Sequence, residues 1–201
     1  MTKASRCLLL IALAVVMTST AAQQPTGRFY VGAGGGQVRS KDYCGPYFDT
    51  VVVACDNATL AYKVFGGVQL LDFLAVETGY ADLGEFTSEL EVAGTPVNDK
   101  TRVRGPLLEA VVSLPIAGGL SVLGKAGGIY WSLEQDFVVA GVPQSDSNSG
   151  VEMVLGLGAQ YQFNRHFAIR AEYEYFPNLG KASETGDTDL TFFSLSALMR
   201  F

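Results

Sequence analysis

Charge is scarce in this sequence. Asp, Glu, Lys and Arg make up 17% of its 201 residues, where an ordinary soluble domain has about a quarter. With 48% hydrophobic residues, the chain is too apolar to be disordered. Bases are scarcer than acids, at 14 Lys and Arg against 20 Asp and Glu. Because affinity for a nucleic-acid backbone comes from Lys and Arg neutralising phosphates, no nucleic-acid partner is expected. His166 is the sole histidine, so a histidine cluster for a metal is excluded and no cofactor is implied. Long apolar runs are missing too. Beyond the first residues no stretch reaches the roughly 18 apolar residues of a membrane-spanning helix.

What is present begins with an export signal. Lys3 and Arg6 precede an apolar run from Cys7 to Met17 and a small-residue stretch from Thr18 to Ala22. This pattern predicts a signal peptide over residues 1–22, cleaved after Ala21 or Ala22, and one mature domain over residues 23–201. Lipidation would need a Cys near Ala22, and none is there. Cleavage leaves Cys44 and Cys55, an even pair in an exported chain, which points to a disulfide. They lie among loop-forming residues, including Gly45, Pro46, Asp49, Asp56 and Asn57. A metal site is the alternative, and it lacks a His partner.

The mature chain alternates with a period of two. Val151, Met153, Leu155, Leu157, Ala159, Tyr161 and Phe163 interleave with Glu152, Val154, Gly156, Gly158, Gln160 and Gln162, which is the pattern of a long strand. Eight such strands are expected, near residues 28–38, 59–70, 74–84, 102–114, 120–133, 150–163, 167–176 and 189–201. The connections alternate between short (71–73, 115–119, 164–166) and long (39–58, 85–101, 134–149, 177–188). An even number of strands of roughly 9 to 11 residues, with short turns at one end and long loops at the other, predicts an all-β fold, an eight-stranded antiparallel up-and-down transmembrane β-barrel.

A soluble barrel also alternates, so the faces must decide between the two. One face carries Val64, Val68, Leu74, Val76, Leu108, Val112, Leu120, Val122, Leu155, Leu157 and Ile169, with no charge at mid-strand. The opposite face carries Glu77, Glu109, Lys125, Arg170 and Glu172, which a dry core would reject. The apolar face therefore points outward. Aromatic residues agree, since lipid interfaces collect rings at both levels. Phe29, Phe73, Phe163, Phe167 and Phe201 fall at the short-turn end, and Tyr62, Tyr80, Tyr130, Trp131, Tyr173, Tyr175 and Phe193 toward the other.

Three segments, Phe29-Tyr30-Val31-Gly32-Ala33-Gly34-Gly35-Gly36, Glu77-Thr78-Gly79-Tyr80-Ala81-Asp82-Leu83-Gly84 and Arg170-Ala171-Glu172-Tyr173-Glu174-Tyr175, resemble the outer-membrane protein A-like and opacity-type family of small eight-stranded barrels. The closing alternation Phe193, Leu195, Met199, Phe201 resembles that family's assembly signal. The likeness covers the whole mature chain. It implies the outer membrane of a Gram-negative-type cell, lipid and lipopolysaccharide as surroundings, and the barrel-assembly machinery as a partner during biogenesis. The peptidoglycan-binding domain of some relatives has no counterpart here, so wall anchoring is not implied.

Gly32, Gly34 and Gly36 mimic a dinucleotide loop, but no helix pattern follows. Asp146 to Gly150 mimics the start of a calcium loop without its closing Glu. Catalysis would need a base beside a nucleophile, and His166 lies in a short turn, so no enzyme activity is expected. The long loops are acidic, with Glu85, Glu89, Glu91 and Asp99 in the second and Glu134, Asp136 and Asp146 in the third. Solvation explains this, and a surface ligand of unknown identity is the sharper reading. Arg102 and Arg104 point outward near a loop end, where guanidinium geometry suits lipopolysaccharide phosphates. In the lumen Glu77 is expected to pair with Arg170, and Glu109 with Lys125 near Glu172. The resulting expectation is a structural and surface-interaction barrel with a plugged lumen. A narrow porin-like channel and a soluble ligand carrier are the rivals.

Cys44→Ser is expected to loosen the first long loop while leaving the barrel folded, because strand pairing holds the rest. Thiol titration of the nonreduced protein and gel migration before and after heating check the two halves, and free thiols at both positions would contradict the bond.

Overall fold

Alternating apolar and polar residues rich in Val, Tyr, Phe and Thr favour pleated strands, and strands are what the chain forms. The computed structural model describes residues 28–41, 52–55, 57–92, 95–139, 142–181 and 186–201. They contain β1 (Phe29–Ser40), β2 (Val52–Cys55), β3 (Ala58–Leu71), β4 (Leu74–Val92), β5 (Thr95–Ala117), β6 (Leu120–Val139), β7 (Val142–Gln162), β8 (Phe167–Lys181) and β9 (Gly186–Arg200). The expected signal peptide and Cys44 lie outside the described residues. Cys55 is placed by its backbone alone, so the expected disulfide also lies outside them.

Eight strands close a ring in the order β4-β3-β1-β9-β8-β7-β6-β5, and β5 returns to β4. All neighbours are antiparallel. The closing ladder joins the first and last strands from Tyr30 opposite Arg200 to Ser40 opposite Leu190, and Phe201 N donates to Phe29 O at 2.9 Å. The short strand β2 lies outside the ring, paired to the far part of β4. At the turn end, Gly118 and Gly119 take φ of 56° and 86°, which glycine adopts without a Cβ penalty. Asn164 Oδ1 accepts the His166 and Phe167 N–H groups and closes the next turn.

Two of the connections expected as long loops are strands. β4 and β5 stay paired out to Val92 and Thr95, and β6 and β7 out to Val139 and Val142. A ladder needs backbone partners rather than apolar side chains. Once both faces are in water the hydrophobic alternation fades while the pairing continues, so strand limits read from hydropathy stop where the apolar band stops. The acidic positions from Glu85 to Asp146 thus lie mostly on extended hairpins. Gly84, at φ 86°, allows β4 to bulge between Asp82 and Glu85. The β7–β8 ladder is shorter, from Leu155 opposite Tyr175 to Gln162 opposite Ala168. Just beyond it, β8 bulges between Phe176 and Leu179 around Pro177, which has no N–H, and Asn178 at φ 50°. β8 then stays on β9 as far as Lys181 opposite Gly186.

The pleat sorts the side chains as expected. Val64, Leu108, Leu155, Leu157 and Ile169 are exposed on the outside, between rings of exposed Phe29, Phe73, Phe163, Phe167 and Phe201 at the turn end and Tyr62, Tyr80, Tyr130, Tyr173 and Phe193 at the other. Trp131 is a correction. Its neighbour Tyr130 points out, so alternation turns Trp131 inward, where it is 2% exposed and packs among buried apolar residues.

Leu157 is 70% exposed on the outer face. Leu157→Arg is expected to cost about 2–4 kcal/mol of stability in a bilayer. Urea unfolding in phospholipid vesicles measures this, and an unchanged midpoint would contradict a lipid-facing surface.

Candidate functional site

An eight-stranded barrel has an interior about wide enough for side chains to fill, and here glycines open room for large ones. A Cβ on Gly32 would lie 2.4 Å from the Phe65 ring, and one on Gly67 would lie 2.2 Å from the Tyr30 ring. These rings lie over bare backbone. Tyr30 and Phe65 join Ala75, Val111, Leu123, Ala168 and Leu198 in an apolar layer toward the turn end. A larger apolar layer, including Leu83, Phe86, Ile129, Trp131, Phe176 and Phe192, fills the lumen toward the hairpin end.

A buried ionic layer joins the two. Arg170 Nη1 on β8 lies 2.6 Å from Glu77 Oε1 on β4, and the same oxygen accepts the Tyr30 hydroxyl at 2.6 Å. Arg170 Nε donates to Gln160 Oε1 at 3.1 Å. Lys125 Nζ on β6 is central, 2.7 Å from Glu109, 3.0 Å from Glu174, 3.1 Å from Glu172 and 3.2 Å from Glu77. Lys63 Nζ on β3 lies 2.8 Å from both Glu172 and Glu174. The Phe65 ring lies beneath all three cations, with Arg170 at 5.2 Å, Lys63 at 5.8 Å and Lys125 at 5.9 Å from its centroid. Gly156 and Gly158 leave the space beside Glu174 and Glu172 that a Cβ would take.

The five lumen residues named from sequence, Glu77, Glu109, Lys125, Arg170 and Glu172, thus lie in one layer. Lys63 and Glu174 belong with them and escaped that reading, as did Tyr30 and Gln160. The same alternation could have found them, since Lys63 sits between outward Tyr62 and Val64, and Glu174 between outward Tyr173 and half-buried Tyr175. The outer surface carries Arg102 and Arg104. Arg102 binds Asp82, which also accepts the Tyr62 hydroxyl at 2.9 Å and the Gly84 N–H at 3.0 Å. Arg104 Nη2 lies 2.5 Å from Glu134 Oε1. Phe193, Leu195, Met199 and Phe201 point outward along β9 and its end, and His166 is exposed in its turn.

The chain matches the OmpA-like transmembrane domain family over residues 24–201. It is 30% identical to outer membrane protein A of Klebsiella pneumoniae over 148 residues, which are 72% of this chain and 42% of that protein. The chain spans about half the length, or less, of the curated relatives it matches. Among solved structures it resembles Ail, the attachment invasion locus protein of Yersinia pestis, with a TM-score of 0.56 at 20% identity, covering 87% of this chain and 99% of that one. Neisserial surface protein A aligns with a TM-score of 0.57 at 12% identity, covering 86% and 97%. At these identities the two structures share the fold.

Lys63→Met is expected to strip Glu172 and Glu174 of one counter-charge each, at a cost of about 3–5 kcal/mol for a broken buried pair. A fall in the heating temperature at which the compact gel band is lost checks this. An unchanged temperature would remove Lys63 from the network.

Proposed function

This chain belongs to the OmpA-like transmembrane domain family, eight-stranded barrels of the Gram-negative-type outer membrane, and from that premise we propose that it is a structural and surface-interaction protein with a closed lumen and no catalytic role. The observation that carries this reading is the filling of the lumen at three successive levels. An ion would have to cross the layer of Tyr30 and Phe65, displace the salt bridges of Lys63, Lys125 and Arg170, and cross the layer of Trp131, Phe176 and Phe192. Shedding water in an apolar layer costs several kcal/mol per ion, and apolar constrictions close pores by excluding water. This supports the closed barrel over the narrow channel.

At the hairpin end the exposed acids Glu85, Glu134, Asp136 and Asp146 give the surface its sign, and a surface ligand there would meet extended hairpins rather than loose loops. Arg102 and Arg104 lie on the outer rim. Each is held by one carboxylate, yet their side chains stay 41% and 37% exposed. A guanidinium has five N–H donors, so the exposed remainder of each can meet lipopolysaccharide phosphates while the carboxylate fixes its direction. The outward row Phe193, Leu195, Met199 and Phe201 is the surface offered to the assembly machinery.

Planar-bilayer recordings test the closed lumen. The refolded protein is expected to show no steady openings, and large, steady conductance would favour the channel.

A further inference from the structure

The ionic layer does not balance. Four carboxylates, Glu77, Glu109, Glu172 and Glu174, face three cations, Lys63, Lys125 and Arg170. Arg200, the nearest further base, lies across the Tyr30 ring at 5.6 Å, partly exposed, and makes no salt bridge among the described residues. Donors are short as well. Lys125 has three N–H bonds and four carboxylates within 3.2 Å.

The imbalance falls on one pair. Glu77 and Glu109 stand directly opposite each other on β4 and β5, both pointing inward, the placement in which like charges repel. Glu77 is well served by Tyr30, Arg170 and Lys125. Glu109, 5% exposed, has one cation, Lys125 on Oε2. Its Oε1 meets no hydrogen-bond partner among the described residues, as is also true of Glu77 Oε2 and both Glu172 oxygens, but Glu77 and Glu174 each contact two cations and Glu172 three. The other groups facing this layer are the cation Lys63 from β3, Arg170, Glu172 and Glu174 from β8, and the neutral Tyr30, Gln160, Ser194 and Ser196 from β1, β7 and β9. Two adjacent carboxylates removed from water do not both stay ionised without a matching counter-charge.

We propose that the lumen holds one resident proton at neutral pH, carried by Glu109, as the fourth positive charge of the network. It rests on the closed-lumen reading, which keeps bulk water from solvating the excess negative charge and dissolved cations from neutralising it. The protonated Glu109 accepts from Lys125 without adding charge, and the remaining three carboxylates match the three cations one for one.

Infrared spectroscopy of the refolded full chain at pH 7, with and without 13C-carboxyl glutamate, tests this. A carbonyl band of a protonated carboxylic acid is expected, shifted by the label and absent in Glu109→Gln. The band and the unfolding temperature should be unchanged when N-methylglucamine chloride replaces sodium chloride. Glu109→Gln should unfold at the wild-type temperature or above, and Glu172→Gln below it. Four results would overturn the proposal: no labelled band at pH 7, a band surviving in Glu109→Gln, equal destabilisation by both substitutions, or destabilisation on sodium removal, which would assign the charge to an alkali cation. If Glu109→Gln fails to fold, the labelled wild-type spectrum still decides whether a glutamate holds a proton at pH 7, and absence of the band would overturn the proposal. A nonconducting barrel without the band would keep the closed lumen and lose the proton, whereas a conducting barrel would overturn the reading beneath it.

Discussion

A chain that crosses hydrocarbon must satisfy its backbone N–H and C=O groups from within itself, and here that requirement is completed by one seam, the ladder between β1 and β9 that joins the two ends of the chain of strands. Without it the remaining strands would form an open sheet with two unpaired edges in lipid. Closure also fixes which side of every strand is inside. Once the ring is complete, alternate side chains have no choice but lipid or lumen, and the residues of each set must suit that solvent. The bare backbone of Gly32 and Gly67 follows from this, because a ring of eight strands admits Phe65 and Tyr30 only where the facing strand gives up its side chain.

The lumen then becomes a problem in electrostatics rather than packing. Burying Glu77, Glu109, Glu172 and Glu174 together with Lys63, Lys125 and Arg170 is weak evidence of stability, since desolvation offsets much of the attraction. What such a layer supplies is mutual dependence. Lys125 on β6 touches residues from β4, β5 and β8, so the interior ties β6 to β4 and β8, strands with which it shares no ladder. The apolar layers on either side keep the local dielectric low and make that cross-linking effective.

Much of the barrel was legible in the sequence because alternation reports both a strand and its faces. Val64 and Leu157 on one parity and Glu77 and Arg170 on the other state the inside and outside without reference to any contact. Partners were harder, since height along the barrel depends on strand stagger, and that is written in no single strand. Lys63 and Glu174 obey the same parity rule, but parity does not state that they stand at the height of Lys125, which only the stagger of β3 and β8 against β6 decides. Trp131 was assigned by its level, although the parity of Tyr130 already turned it inward. The paired stems beyond Asp82 and Glu134 were illegible for a physical reason. With water on both faces, nothing in hydropathy distinguishes a hydrogen-bonded hairpin from a loop.

The early end of the β7–β8 ladder at Leu155 and Tyr175 has a different kind of consequence. It divides the part of the molecule beyond the girdle into a flange built on β4 to β7 and a separate hairpin of β8 and β9. Within each, residues can be added or removed in opposed pairs at a tip, and the register below is conserved. A change of length in one hairpin is therefore independent of the other. The length and chemistry of one hairpin can change without altering the other and without touching the interior, whose charges answer to one another as a set.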